Sequence, residues 1–179
     1  MVVDVLAAGT VALDLCLLLA LPLAVYDRLS GGGLDRVDAL WRVRRLLRAH
    51  GLRLAFAQAL LAAAGSLYLA AGLGWEPCRL CWYQRIAAYP LVVVLGVGLL
   101  RGRRAVRSYA APLALAGVPI ATYHYLLQRT DLVGATTCSL TGPSCATTDV
   151  LLHGYVTVPA MALTAFLVVL GLLWAAGGD

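Results

Sequence analysis

Residues Arg53 to Ile86 read RLAFAQALLAAAGSLYLAAGLGWEPCRLCWYQRI, and this stretch decides the fold. From Arg53 to Gly74 no charged residue follows the first one, and the run meets the about 20 apolar residues that a bilayer-spanning helix needs. It stops at Trp75-Glu76-Pro77, two cysteines follow, and a second apolar run opens at Tyr83. The expectation is a helix across the membrane, a short loop carrying C-x-x-C, and a helix returning. Outward from this unit, runs of the same kind cover Val5 to Tyr26, Tyr83 to Leu100, Tyr109 to Gln128 and Tyr155 to Ala176. The chain of 179 residues is 61% hydrophobic and 13% charged, with a mean hydropathy of +0.84, which leaves no room for a separate water-soluble domain. An all-α integral membrane protein, folded as one bundle, is the class that remains.

The formal net charge is +5 and every one of the 14 basic residues is arginine. Nucleic acid is not the partner this predicts, because the arginines do not form one exposed stripe. Ten of them fall in the loops 27–52 and 101–108, with Arg53 at the boundary, whereas Arg79 and Arg129 are the arginines of the loops 75–82 and 129–154. Arginine-rich loops stay in the cytoplasm. The N-terminus and the loops 75–82 and 129–154 are therefore expected to face outward. Asp4 before the first apolar run and Arg28 after it invert the charge order of a signal peptide, so residues 1–30 read as a retained transmembrane helix. Residues 31–52 follow as a cytoplasmic segment. In it Leu34, Val37, Leu40, Trp41, Leu46 and Leu47 recur near helical spacing among arginines, which suits either a helix on the inner leaflet or a simple topogenic charge cluster. Residues 53–179 then hold the remaining four spans.

Asp14 lies mid-way along the first span, at a cost of about 2.5–3.5 kcal/mol on insertion scales, and should face the bundle or water. It reads as a proton site or as a polar residue packed against a neighbouring helix. Cys16 nearby reads as a small buried hydrophobe.

Four of the five cysteines, Cys78, Cys81, Cys138 and Cys145, sit in the two outward loops, where oxidation can occur. Cys78-Arg79-Leu80-Cys81 closes a small ring that thiolate exchange can open and reform. Pro77 suits a helix start, which puts Cys81 in the first turn of the third span, where free N–H groups and the helix dipole favour a thiolate. Arg85, four residues on, shares that face, and its charge favours an anion on the sulfur or on a reducible group docked there. The plainer reading of Arg85 is an arginine reaching to lipid head groups. Cys138 and Cys145 bracket a turn-rich stretch and could be a redox pair or a structural staple. Four thiolates also raise tetrahedral zinc, but two membrane spans separate the pairs, so no metal is expected.

Glu76-Pro77-Cys78-Arg79-Leu80-Cys81-Trp82-Tyr83-Gln84-Arg85-Ile86, with Tyr89-Pro90-Leu91 behind it, resembles the signature of the DsbB family of thiol oxidases in its BdbC-like form. Tyr123-His124-Tyr125-Leu126-Leu127-Gln128 and Gly154-Tyr155-Val156-Thr157-Val158-Pro159 agree with it. The resemblance covers about residues 53 to 176 and implies a DsbB-like four-helix transmembrane bundle, to which the N-terminal helix is an addition. It further implies a bacterial cytoplasmic-membrane enzyme that reoxidises an extracytoplasmic DsbA-like dithiol oxidase and passes the electrons to a membrane quinone, ubiquinone or menaquinone. In that scheme Cys138 takes the partner's thiolate with Cys145 as its companion. Cys78 and Cys81 reoxidise the loop pair, Cys81 reduces the quinone, and Arg85 steadies the charge. His124 matches a histidine near the quinone, or serves as an interfacial hydrogen-bonder. Net disulfide formation needs a terminal oxidant, and a C-x-x-C at the membrane face can reach a lipid-soluble one. The competing class is a non-catalytic membrane protein whose four loop cysteines form two structural disulfides.

Overall fold

A computed structural model of the chain describes residues 1–29, 38–101, 106–130, 144–146 and 151–176. Five helices follow in order: α1 Val2–Leu29, α2 Asp38–Leu67, α3 Arg79–Arg101, α4 Val106–Arg129 and α5 Val158–Ala176, each long and apolar enough to cross a membrane. Among the described residues the nearest approach to a strand is an isolated bridge between Leu152 and Val156. In lipid every backbone polar group must be satisfied within its own segment, and helices of this length do so. Pro90, Pro112 and Pro119 are carried inside α3 and α4, as bundled membrane helices permit.

Two of the boundaries that differ from expectation do so for local reasons. The arginine-rich segment runs from Asp38 without a break into the second span, so α2 is one helix that closes with a π turn over Tyr68–Gly72. Nothing between Asp38 and Leu67 interrupts it, because Gly51 continues the helix. Gly51 is needed for closeness: a Cβ there would stand 2.9 Å from both Ala176 Cβ and the Leu172 carbonyl of α5. The fifth span starts at Val158, three residues later than expected. His153 at φ 52° and Gly154 at φ 79° reverse the chain into the Leu152–Val156 bridge and use up the residues before it.

The core lies between α2, α3, α4 and α5, where Ala55, Ala59, Ala87, Ala110, Ala114 and Ala121 let the backbones approach and Leu91, Leu95, Phe166 and Leu173 fill the space. Lipid tails are as apolar as leucine, so close packing of small residues drives such contacts. Gly117 is the tightest case, since a Cβ on it would overlap the ring of buried Phe166. α1 packs mainly on α5 and turns Leu15, Leu18 and Leu19 outward. Cys16 is exposed on that outer surface, not buried as its apolar flanks suggest, because α1 has a bundle on one side only.

Candidate active site

The start of α3 places both sulfurs of the C-x-x-C. Trp82 N–H donates to the Cys78 carbonyl at 3.2 Å, which makes Cys78 the residue just before the helix and Cys81 part of its first turn. That geometry folds the two sulfurs together at 3.5 Å, with the Cys78 thiol donating to Cys81 Sγ. Cys81 therefore receives a hydrogen bond and sits among the free N–H groups of a helix start, both of which favour negative charge.

His124 comes from α4 and is buried, 1% exposed. Its Nε2 lies 3.6 Å from Cys78 Sγ, and its Nδ1 lies 3.2 Å from Gln84 Nε2, one turn along α3 from Leu80. An amide NH₂ only donates, so Gln84 makes Nδ1 the acceptor and leaves the ring proton on Nε2, facing the sulfur. The donors then run in one direction, from Gln84 to His124 to Cys78 to Cys81. Bonds chained in this way polarise one another in a low-dielectric interior. The Cys78 thiol is pushed up to about 11, first by its hydrogen bond to Cys81 and then by burial, against the smaller opposing effects of His124 and Cys145.

Cys145, 1% exposed, packs with Cys78, Leu80 and Leu127, so the outer loop delivers one sulfur directly to the C-x-x-C. Cys138, the other loop cysteine, lies outside the described residues.

Arg85 turns toward α2: Nε donates to Ser66 Oγ at 2.9 Å and an Nη to the Ser66 carbonyl at 3.1 Å. Its guanidinium also lies 5.2 Å from the centre of the Trp82 ring. Ser66 immediately precedes the last residue of α2, where the helix gives way to the π turn, an irregularity common at functional sites. Cys78, Cys81, Gln84, Arg85 and His124 line a cavity of about 510 Å³ whose remaining lining is mostly apolar. Pockets of about 300–1,000 Å³ with a few converging polar groups are the usual size for a small organic molecule.

The ligating atoms of Cys78, Cys81 and His124 all lie within 4.8 Å of one another, a two-sulfur, one-nitrogen set of the kind zinc accepts. The third donor is a histidine from another helix, not the second cysteine pair considered from the sequence. Gln84 and Ser66 were also not singled out as site residues. A glutamine inside an apolar span was a visible signal, while a serine among alanines gave none.

Comparison with known proteins covers the region of the chain that holds the C-x-x-C. The family model "Disulfide bond formation protein DsbB" matches residues 48–176. "Disulfide bond formation protein C" of Bacillus subtilis is 38% identical over 112 residues, covering 63% of this chain and 81% of that protein. A "Probable disulfide formation protein" of Coxiella burnetii is 37% identical over 127 residues, 70% of this chain and 86% of the relative. "Probable disulfide formation protein C 1" of Bacillus anthracis is 33% identical over 126 residues, 70% and 91% of the two chains. No solved structure matches the chain.

Proposed function

The chain belongs to the DsbB family of membrane thiol oxidoreductases, and from that premise we propose how its residues divide the work of reoxidising a DsbA-like dithiol. The partner's thiolate attacks Cys138 of a Cys138–Cys145 disulfide, forming a mixed disulfide and releasing Cys145 as thiolate. The partner's second thiol then displaces Cys138 and leaves oxidised. Cys145 attacks Cys78 of the Cys78–Cys81 disulfide, which expels Cys81 as thiolate. Cys138 next attacks Cys145, restoring the loop pair and returning Cys78 as a thiol, so that the partner's two electrons and two protons end on Cys78 and Cys81.

Attack at Cys78 is supported by the packing of Cys145 against it and by the leaving sulfur that results. A sulfur that leaves fastest is one that carries charge well. Cys81 has the helix start to support that charge, with Arg85 four residues along the same helix. His124, fixed by Gln84, holds Cys78 in place for each exchange. A membrane quinone, ubiquinone or menaquinone, is the acceptor that fits: it takes two electrons and two protons as the Cys78–Cys81 disulfide closes. Its polar ring suits the Cys81, Arg85 and His124 side of the cavity and its tail suits the apolar remainder.

The observation that carries the reading is the Cys78 and Cys81 pair, its sulfurs 3.5 Å apart, in the wall of a mostly apolar cavity that also holds Arg85. An inert pair of staples requires neither. The same reading places the N-terminus and both cysteine loops outside the bacterial cytoplasmic membrane, takes 1–30 as a helix added to the four-helix core, and makes the partner an extracytoplasmic protein. The test is to mix the purified protein with a reduced DsbA-like protein and quinone and to follow quinone absorbance. Stoichiometric quinone loss and partner oxidation are expected. Partner oxidation with the quinone untouched would remove the acceptor assignment, and no exchange with the partner would remove the relay.

A further inference from the structure

α1 lies outside residues 48–176, the region that matches the family, yet it forms a wall of the acceptor cavity. Leu6, Gly9, Thr10 and Leu13 recur at steps of three and four residues, which aligns them on one helical face, and all four line the cavity. Leu6 reaches across to α2, where a Cβ on Gly65 would meet its Cδ1 at 3.5 Å. Thr10 is buried and spends its hydroxyl on the Leu6 carbonyl at 2.9 Å, so its methyl is free to serve an apolar surface. At Gly9 nothing lies within 4 Å of where a Cβ would stand, so the helix presents bare backbone to open space there.

The face is held in position by Asp14, one residue beyond Leu13. Tyr155 Oη donates to one carboxylate oxygen at 2.9 Å and Thr164 Oγ1 to the other at 2.6 Å. Tyr155 keeps the proton it donates, because loss of water and then the bond to Asp14 hold its phenol above the usual range. A carboxylate within the bilayer is expensive, and here both of its oxygens are engaged by α5 and the turn before it. Lower down, Arg44 Nη1 meets Asp27 Oδ2 at 3.1 Å and ties α1 to α2. The helix is thus fixed at two levels, with its cavity face beside the Asp14 bonds.

We propose that α1 is part of the quinone site: latched to α5 through Asp14, it presents Leu6, Gly9, Thr10 and Leu13 to the ligand bound against Cys81 and Arg85. The proposal rests on the quinone reading above and extends the site to residues the four-helix core does not supply. The bare backbone at Gly9 is where a flat ring or an isoprenoid unit comes closest to α1, since any side chain there would project into the space it uses.

The experiment uses the full chain in lipid nanodiscs and an azido-substituted benzoquinone with an isoprenoid tail, followed by peptide mapping after illumination. Label within residues 5–14 that excess quinone prevents, together with label on α2 or α3, is the expected result. Protectable label confined to α2–α5 would overturn the role of α1 and leave the quinone reading intact. Absence of protectable label anywhere would overturn both. As a second arm, Gly9→Phe should raise the quinone KM by about tenfold and weaken photolabelling in step, with the helical far-UV spectrum unchanged. An unchanged KM in a folded Gly9→Phe protein would overturn the proposal, and if that variant does not fold, the wild-type labelling decides.

Discussion

Two polar centres among the described residues, one at Asp14 and one at Cys78, are bonded differently. Around Asp14 the contacts are oxygen to oxygen, 2.6 and 2.9 Å, and both carboxylate oxygens are occupied. Around Cys78 the contacts involve sulfur, 3.5 Å to Cys81 and 3.6 Å to His124 Nε2. Sulfur is a weak donor and acceptor, so each contact around Cys78 is weaker than the oxygen contacts around Asp14. The difference teaches that oxygen contacts suit a point of attachment between helices, whereas weaker sulfur contacts suit the centre proposed to exchange its bonds.

The most severe way to break the contrast is at the reactive centre. If Cys81 passes the electrons to the quinone as proposed, Cys81→Ser should lower quinone reduction by at least about a thousandfold, while Cys138 should still form a mixed disulfide with the partner. Quinone turnover by this variant, read from absorbance, would show that another sulfur faces the cavity.

Arg85 comes next. Arg85→Met, which loses the charge beside Cys81, should slow turnover about a hundredfold, with partial recovery in Arg85→Lys because lysine keeps the charge but not the planar fork. Steady-state rates normalised to folded protein decide it. Equal turnover in all three would reduce Arg85 to a surface anchor bonded to Ser66.

A pH series sharpens the same centre. With the Cys78 thiol pushed up to about 11, the reduced protein keeps that proton through neutral pH and loses it only as the pH rises past the ordinary cysteine range toward that value. At neutral pH a small alkylating reagent should therefore modify Cys81 at least about tenfold faster than Cys78, with the gap narrowing in alkali. The folding contribution has the same sign: a raised acid is worth most below its unfolded value and its benefit fades as pH climbs through the folded one. Equal alkylation of the two sulfurs at neutral pH would end the distinction between them.

The smallest effect belongs to the attachment centre. Thr164→Val removes the 2.6 Å bond to Asp14, and hydrogen bonds between membrane helices average about 0.6 kcal/mol, so unfolding in mild detergent should shift only slightly. A double-mutant cycle with Asp14→Asn isolates the pair. A loss larger than about 2 kcal/mol would mean that Asp14 supports more of the bundle than α1 alone.

Much of the candidate site's geometry was legible because it is local. C-x-x-C, Pro77 and Arg85 fall within nine residues, so helix periodicity alone puts Cys81 in the first turn of α3 with Arg85 one turn beyond it. Apolar run length likewise fixed the number of spans, though not the extension of α2 back to Asp38 or the late start of α5. His124 could be matched by pattern, but its tautomer follows from Gln84, 40 residues away. Asp14 was conspicuous as a charge in lipid, while its partners stood 141 and 150 residues further on.

What the sequence determined by itself is therefore what a bilayer and a single helix impose: five apolar spans, arginine-rich loops, and a cysteine pair at a helix start. The tertiary structure alone decided which helix faces meet. Side-chain spacing fixes neighbours within a helix, but the rotation of one helix against another depends on packing of all its contacts. That is why the direction of the donors from Gln84 to Cys81, the grip of Ser66 on Arg85, and the presence of α1 in the cavity wall emerge only once the bundle is assembled.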